Sequence, residues 1–429
     1  MAFRLPAEKF SHAGPRSMLI CFLVSVIGCS GGERQIVGPG TDPGGPSSPS
    51  LDVRVMPDPT DAALAEALGW DAGVPNAEVH LLRNGTAIWQ VRTTDSDGTV
   101  FFDDVGFGVY RLYASRALTA AEQTAAGQPA RGFGDGRTLL IGGPTEVSLN
   151  VLADRTGGLV ISEINRSTPP PWETGGSGYN GGLYFEVYND SDQTLYLDGL
   201  VFGSTIHTAF RDYDHWPCVQ SEPVRTDESG LYVRSALQFP GSGTDHPIQP
   251  GEALVVAQSA IDHTPVHAEL FDLRDAAFEI GGVGIADNPA VPNMQSIGLE
   301  AWFPQFLYAS GNVFFLARSF DPQSLPIEYR GSTGRGYVRV PADLVIESVA
   351  FSRLWPDNDL ESPPCRPMLP PRFDRYEGGF FEIGLGVESP TESLQRRRIR
   401  SENGRTVLLN TSTSAVDFVL APPTPGWVP

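Results

Sequence analysis

From residue 51 onward the chain alternates apolar and polar positions in short runs, with glycine and proline at the breaks. Leu51-Asp52-Val53-Arg54-Val55 alternates as a half-buried strand does. Residues 74–82 read as a second strand. Asn84-Gly85 signals a tight hairpin turn, and residues 87–91 return from it. Thr94-Asp95-Ser96-Asp97-Gly98 is turn chemistry leading into another strand. Thr119-Ala120-Ala121-Glu122 is a capping box that opens a short helix. The glycine-rich stretch 127–136 reads as a mobile loop, and residues 147–152 as a closing strand. A second series follows: 159–164, 183–191, 195–200, 253–257, 344–351 and 417–419. The pattern predicts an all-β fold in two units, over 51–155 and 157–429.

The first 28 residues follow a different pattern. Arg4, Lys9 and Arg16 precede an apolar run, residues 18–27, broken only by Ser25, which ends at Val26-Ile27-Gly28-Cys29. A charged start, a short apolar centre and a small residue before a cut site describe an export signal. The run is too short to span a bilayer. Val26-Ile27-Gly28-Cys29 resembles the lipobox of bacterial lipoproteins. The resemblance implies a lipoprotein signal peptide over 1–28, cleavage before Cys29, and lipidation of Cys29 as the membrane anchor. Ser30, in place of an aspartate, points to the outer membrane. Residues 29–50 then comprise the lipidated cysteine and a Gly/Pro/Ser-rich flexible linker. A coil of that length reaches about 25 Å.

Composition narrows the function classes. Hydrophobic residues make up 41% of the 429, too many for a wholly disordered chain. The net charge is −21, and removing residues 1–28 makes the remainder more acidic still, since Arg4, Lys9 and Arg16 leave with only Glu8. Such a surface repels phosphate backbones and argues against nucleic-acid binding. Of the four cysteines, Cys21 lies in the signal and Cys29 is the anchor. Cys218 and Cys365 remain, which permits one disulfide in an oxidising compartment.

Residues 94–110 resemble the signature of carboxypeptidase-regulatory-like and transthyretin-like (prealbumin-like) β-sandwiches: a Thr-Asp-x-x-Gly turn, an inward aromatic, then Gly108-Val109-Tyr110 opening the next strand. The resemblance covers about a hundred residues, and implies a structural module with Phe102, Val105 and Tyr110 in its core. Ile161-Ser162-Glu163-Ile164, Phe185-Glu186-Val187-Tyr188-Asn189, Pro250-Gly251-Glu252 and Pro423-Thr424-Pro425-Gly426 resemble lamin-tail-like domains, which are Ig-like sandwiches, so the two resemblances together imply two β-sandwich domains in tandem. Ala260-Ile261-Asp262-His263, the segments 272–279 and 287–294, and Ser393-Leu394-Gln395-Arg396-Arg397 are similar to the bacterial surface-lipoprotein family known as domain of unknown function 4876. That family has no established activity. Some of its members accompany TonB-type uptake systems.

Candidate chemistry is sparse. Asp95, Asp97, Asp103 and Asp104 could ligate calcium, but their spacing fits no EF-hand loop and suits turns better. Glu163 and Glu186 sit on neighbouring strands. Simple alternation puts Glu163 on the face of Ile161, and the pair reads either as acid and base or as acceptors of backbone and tyrosine hydrogen bonds. His207, His215, His246, His263 and His267, with Asp212, Asp214, Asp245 and Asp262, form the one set rich enough for a metal. Trp172, Trp216, Trp302 and Trp355 fall in insertions, where aromatics stack on sugars or peptides. Residues 395–400 are a basic cluster that reads as a strand edge. No nucleophile elbow or phosphate loop is present. The expectation is a membrane-anchored extracytoplasmic lipoprotein with a non-catalytic binding or scaffold role, no cofactor, and an outer-membrane protein or extracellular polymer as partner. The alternatives are a metal-dependent enzyme using the His/Asp set, and an accessory lipoprotein of an uptake receptor.

Overall fold

The computed structural model describes residues 49–83, 87–126, 132–154, 158–166, 169, 173–174, 179–205, 229–282, 285–297, 313–330, 336–353, 373, 381–383, 392–402 and 404–428. Seven strands come first: β1 (Leu51–Pro57), β2 (Glu78–Arg83), β3 (Ala87–Thr93), β4 (Thr99–Phe102), β5 (Gly108–Ala117), β6 (Gly132–Ile141) and β7 (Thr145–Asp154). They follow the order β3-β2-β5-β6-β7-β1-β4. β6 pairs with β5 along its whole length but with β7 only at residues 132–134, so the sheet turns a corner there. The apolar positions of β1 (Leu51, Val53 and Val55) are buried, while Asp52 and Arg54 face water. Phe102, Val105 and Tyr110 are fully buried as expected, and Tyr110 donates its hydroxyl to the Gly106 carbonyl at 2.9 Å. A buried phenol needs such a partner.

Local chemistry explains most of the connections. The Asp95 carboxylate accepts from the amides of Asp97 (3.0 Å) and Thr99 (2.8 Å) and from the Thr99 hydroxyl (2.7 Å). Gly98 closes that turn at φ +76°, a left-handed conformation that glycine adopts without steric cost. Thr119 and Glu122 make both capping-box bonds, the Thr119 amide donating to Glu122 at 2.7 Å, and helix α2 (Ala120–Ala126) follows. The pattern missed helix α1 (Ala62–Leu68), which ends on left-handed Gly69. It also misread residues 132–136, which are strand.

The remaining strands are β8 (Leu159–Asn165), β9 (Tyr184–Asn189), β10 (Leu195–Tyr196), β11 (Val201–Thr205), β12 (Gly230–Gln238), β13 (Pro247–Ile248), β14 (Ala253–Ala257), β15 (Phe278–Glu279), β16 (Gln295–Ser296), β17 (Val313–Ala317), β18 (Ile327–Arg330), β19 (Gly336–Pro341), β20 (Val345–Arg353), β21 (Phe381–Ile383), β22 (Ser393–Arg396), β23 (Arg398–Glu402), β24 (Arg405–Leu408) and β25 (Phe418–Ala421). An eight-stranded sheet runs β18-β19-β12-β11-β17-β20-β21, with β16 also on β12. A six-stranded sheet runs β15-β14-β9-β8-β22-β25. The two enclose one core, to which the six-stranded sheet gives Ile161, Phe185 and Val187 and the eight-stranded sheet Phe202, Phe314 and Leu316. Phe185 and Phe202 stack across the gap. The opposite face of the eight-stranded sheet is covered too, around Val233, Phe315 and Val338. The fold is therefore all-β with sheets packed face to face.

β22 lies between β8 and β25, so the basic cluster at 395–400 starts inside a sheet and not on its edge. Arg396 is buried. It donates to the Ile161 and Leu409 carbonyls (2.9 Å each), pairs with Glu347 and Asp417, and lies over the Phe418 ring. A buried guanidinium requires this kind of saturation, because an unpaired charge there costs several kcal/mol, on the order of 3–5 when a partner is lost. The first seven strands pack on the rest through Leu82 and Tyr113 against Leu409 and Val416.

Candidate functional site

Glu163 and Glu186 face each other across β8 and β9. Alternation alone put Glu163 on the core side with Ile161. A β-bulge between Ile161 and Glu163 changes this: Ile161 and Ile164 both enter the core, while Glu163 turns outward beside Tyr184. An extra residue in one strand shifts every later side chain to the other face.

Both carboxylates are buried, and the C-terminal tail covers them. Glu163 accepts from the Tyr184 hydroxyl (2.6 Å), the Thr424 amide (3.2 Å) and the Thr424 hydroxyl (3.0 Å). Glu186 accepts from the Gly426 amide (2.5 Å) and the Ser162 hydroxyl (3.2 Å). The tail can reach them because Thr424-Pro425-Gly426-Trp427 forms a turn closed by the Trp427 amide on the Thr424 carbonyl, with Gly426 at φ +78°. Proline then glycine at the turn's centre suits a type II turn, and leaves the Gly426 N–H free to point at Glu186. Gln395 adds a bond to the Thr424 hydroxyl at 3.0 Å. Burial, and then the charge of Glu163, push the Glu186 carboxyl up to about 8. Burial and the same neighbour push the Tyr184 hydroxyl well above its usual range. The acceptors of the pair are thus committed to holding the chain end, as the hydrogen-bonding reading expected.

The described histidines serve separate partners. His263 is buried, with Nε2 2.8 Å from the Ser259 carbonyl and Nδ1 2.6 Å from the Tyr179 hydroxyl. A carbonyl only accepts, so Nε2 carries the proton and Nδ1 receives the tyrosine's. Burial lowers the pKa of this imidazole and keeps it neutral. His267 meets Glu173 at 2.8 Å, and His246 lies edge-on to Phe278. Asp262 caps its own turn through Thr264, and Asp245 does so through Ser242. Asp198, a residue the sequence reading passed over, accepts amides from Gly243, Asp245 and His246 and so builds the His246 turn. Its only signal was an Asp before glycine. Of the four aspartates weighed for calcium, Asp95 holds its turn and Asp103 pairs with Arg92 at 2.5 Å. Cys29, Cys218, Cys365, Trp172, Trp216, Trp302, Trp355, His207, His215, Asp212 and Asp214 lie outside the described residues.

One relation among the insertions is visible from their roots. Thr205 pairs with Val313, and Val313 with Ala350, so β11, β17 and β20 meet in one row. β11 ends there, β17 begins there, and β20 ends three residues beyond, at Arg353. The segments 206–228, 298–312 and 354–372, which carry Trp216, Trp302 and Trp355, therefore all join the same end of the eight-stranded sheet.

No protein-family model matches the chain, and no curated protein matches it. Among solved structures, a DUF4876 family protein from Bacteroides thetaiotaomicron VPI-5482 is similar at 18% identity and a TM-score of 0.47, over 89% of this chain and 96% of that one. The chain resembles the DUF4876 family. A DUF3823 family protein from Bacteroides uniformis ATCC 8492 is similar at 11% identity and a TM-score of 0.17, over 68% of this chain and 96% of that one.

Proposed function

We propose that the protein is an extracytoplasmic lipoprotein, held at the outer membrane by acyl chains on Cys29, that binds an outer-membrane protein or extracellular polymer without catalysis. The observation that carries the binding role is that the three tryptophan-bearing segments join one end of the eight-stranded sheet, at Thr205, Val313 and Arg353. Loops gathered at one end of a rigid sandwich are the usual place for recognition, and tryptophan offers a large stacking face. The commitment of Glu163 and Glu186 to the chain end supports the non-catalytic part.

Two measurements test this. Radioactive palmitate should label the parent and not Cys29→Ala, because the acyl chains supply the membrane affinity. Equal labelling of both would sink the anchor. Cross-linking in intact cells should capture a partner on the parent, and the Trp216→Ala/Trp302→Ala/Trp355→Ala variant should lose it. Full capture by the variant would overturn the insertion surface.

A further inference from the structure

The chain enters the first sandwich at one end. The Pro49 carbonyl accepts from Val105 and the Ser50 carbonyl from Thr145, each at 2.9 Å. β7 runs parallel to β1, with Leu51 opposite Thr145 and Pro57 opposite Val151, so the chain leaves at the other end. Around the entry end stand four large apolar side chains in water: Phe101 (51% exposed), Phe107 (58%), Val109 (47%) and Leu140 (73%). Val109 and Leu140 are direct cross-strand partners, and Phe107 lies two residues before Val109. Phe101 pairs with Asp52, one residue inside the entry. Arg83 is exposed on the same rim, within about 4 Å of where a side chain on Gly106 or Gly108 would sit. An isolated exposed apolar residue needs no explanation, but a group gathered at one end does.

We propose that this rim is the surface on which the protein rests against the bilayer that carries its anchor. The proposal builds on lipidation at Cys29. Residues 30–48 are all that separates that cysteine from Pro49, and a coil of this length reaches about 25 Å. The entry end of the sandwich is therefore confined close to the lipid surface, whichever way the rest of the molecule points. Aromatic and branched side chains flanked by an arginine suit the zone between headgroups and acyl chains, where the apolar part is buried and the guanidinium stays wet. Asp52, Asp103, Asp104 and Glu146 stand on the same end. They are repelled by anionic headgroups, so the fitting surface is zwitterionic. A small apolar rim binds weakly by itself, and the tether makes it effective by holding it at high local concentration.

The test uses the acylated full chain in phosphatidylcholine vesicles, with hydroxyl-radical footprinting of the four side chains and Trp427 as the exposed reference. Modification of Phe107 and Leu140 is expected to fall severalfold relative to the unacylated Cys29→Ser chain in solution, with Trp427 unchanged. Phe107→Ser/Leu140→Ser, two exposed positions whose change should leave the unfolding temperature near the parent's, should still float with the vesicles but lose protection at Val109. Equal modification of a protein that does float would overturn the docking surface and leave the anchor standing. Failure to float would remove the anchor, and the docking with it. Protection that grows with protein concentration in the unacylated chain would mean that a second copy covers the rim, which also overturns the proposal.

Discussion

Glu186 sits beside Glu163 with a carboxyl pushed up to about 8 from an ordinary 4.5, chiefly by burial and next by its neighbour's charge. The folded protein therefore holds this proton where the unfolded chain has lost it. The stability it contributes is fully present below pH 4.5, declines as pH rises, and is gone above about 8. Glu186→Gln should flatten this slope, because an amide cannot ionise yet can still accept from Gly426 and meet Ser162. The variant should match the parent near about pH 5 and exceed it near about pH 9 by on the order of 2–4 kcal/mol. Thermal unfolding at the two pH values reads it, and parallel slopes for parent and variant would reject the assignment. Both residue types were legible in the sequence, as was the Pro-Thr-Pro-Gly ending. Their meeting was not, because it depends on a one-residue bulge and on a partner more than two hundred residues away.

At the scale of elements, capping and turn chemistry carried the reading well. Thr119 with Glu122, and Asp95 with Gly98, act through neighbours a few residues apart, so sequence alone suffices for them, while Asn84-Gly85 lies outside the described residues. Residues 132–136 failed for the opposite reason. Their glycines read as a loop, yet they form β6 and lie against the far half of the chain. A Cβ on Gly136 would lie 2.8 Å from Val416 Cγ1, and one on Gly134 would lie 2.5 Å from the Asn410 carbonyl. Here glycine permits close approach, a long-range demand invisible in a local window. Gly136→Ala should therefore destabilise by about 1–3 kcal/mol, the usual penalty for overpacking, since Val416 is held in a buried cluster and cannot swing aside. Gly142→Ala, with nothing within 4 Å, should change stability by no more than about 0.5 kcal/mol. Urea titrations of both variants decide the matter, and equal midpoints would refute the close-packing account.

For the whole molecule, the all-β class followed from alternation, while sheet order followed from none of it, because pairings such as β22 with β8 join strands far apart in sequence. Sheet order in turn sharpens one prediction about covalent structure. Cys218 and Cys365 are the only cysteines outside the proposed signal and anchor, and the proposed export would carry them into an oxidising compartment. Each lies in a proline-bearing segment, Trp216-Pro217-Cys218 and Pro363-Pro364-Cys365. The segment carrying Cys218 leaves the sheet at Thr205, and the one carrying Cys365 leaves after Arg353. β11 and β20 are separated by β17 alone, and β20 runs three residues past the row that Thr205 shares with Val313 and Ala350. Two strand spacings and a three-residue offset set the roots about 14 Å apart, a gap that segments of this length bridge easily. A bond between them would close a long loop, worth at most about 5 kcal/mol by chain entropy. It would also tie two of the three tryptophan-bearing insertions to each other, which lowers the entropy lost when they engage a partner. Peptide mapping of the non-reduced protein should recover a single linked pair, Cys218 with Cys365. Reduction should lower the unfolding temperature and weaken partner capture together. Two free thiols in protein purified from the envelope would exclude the bond.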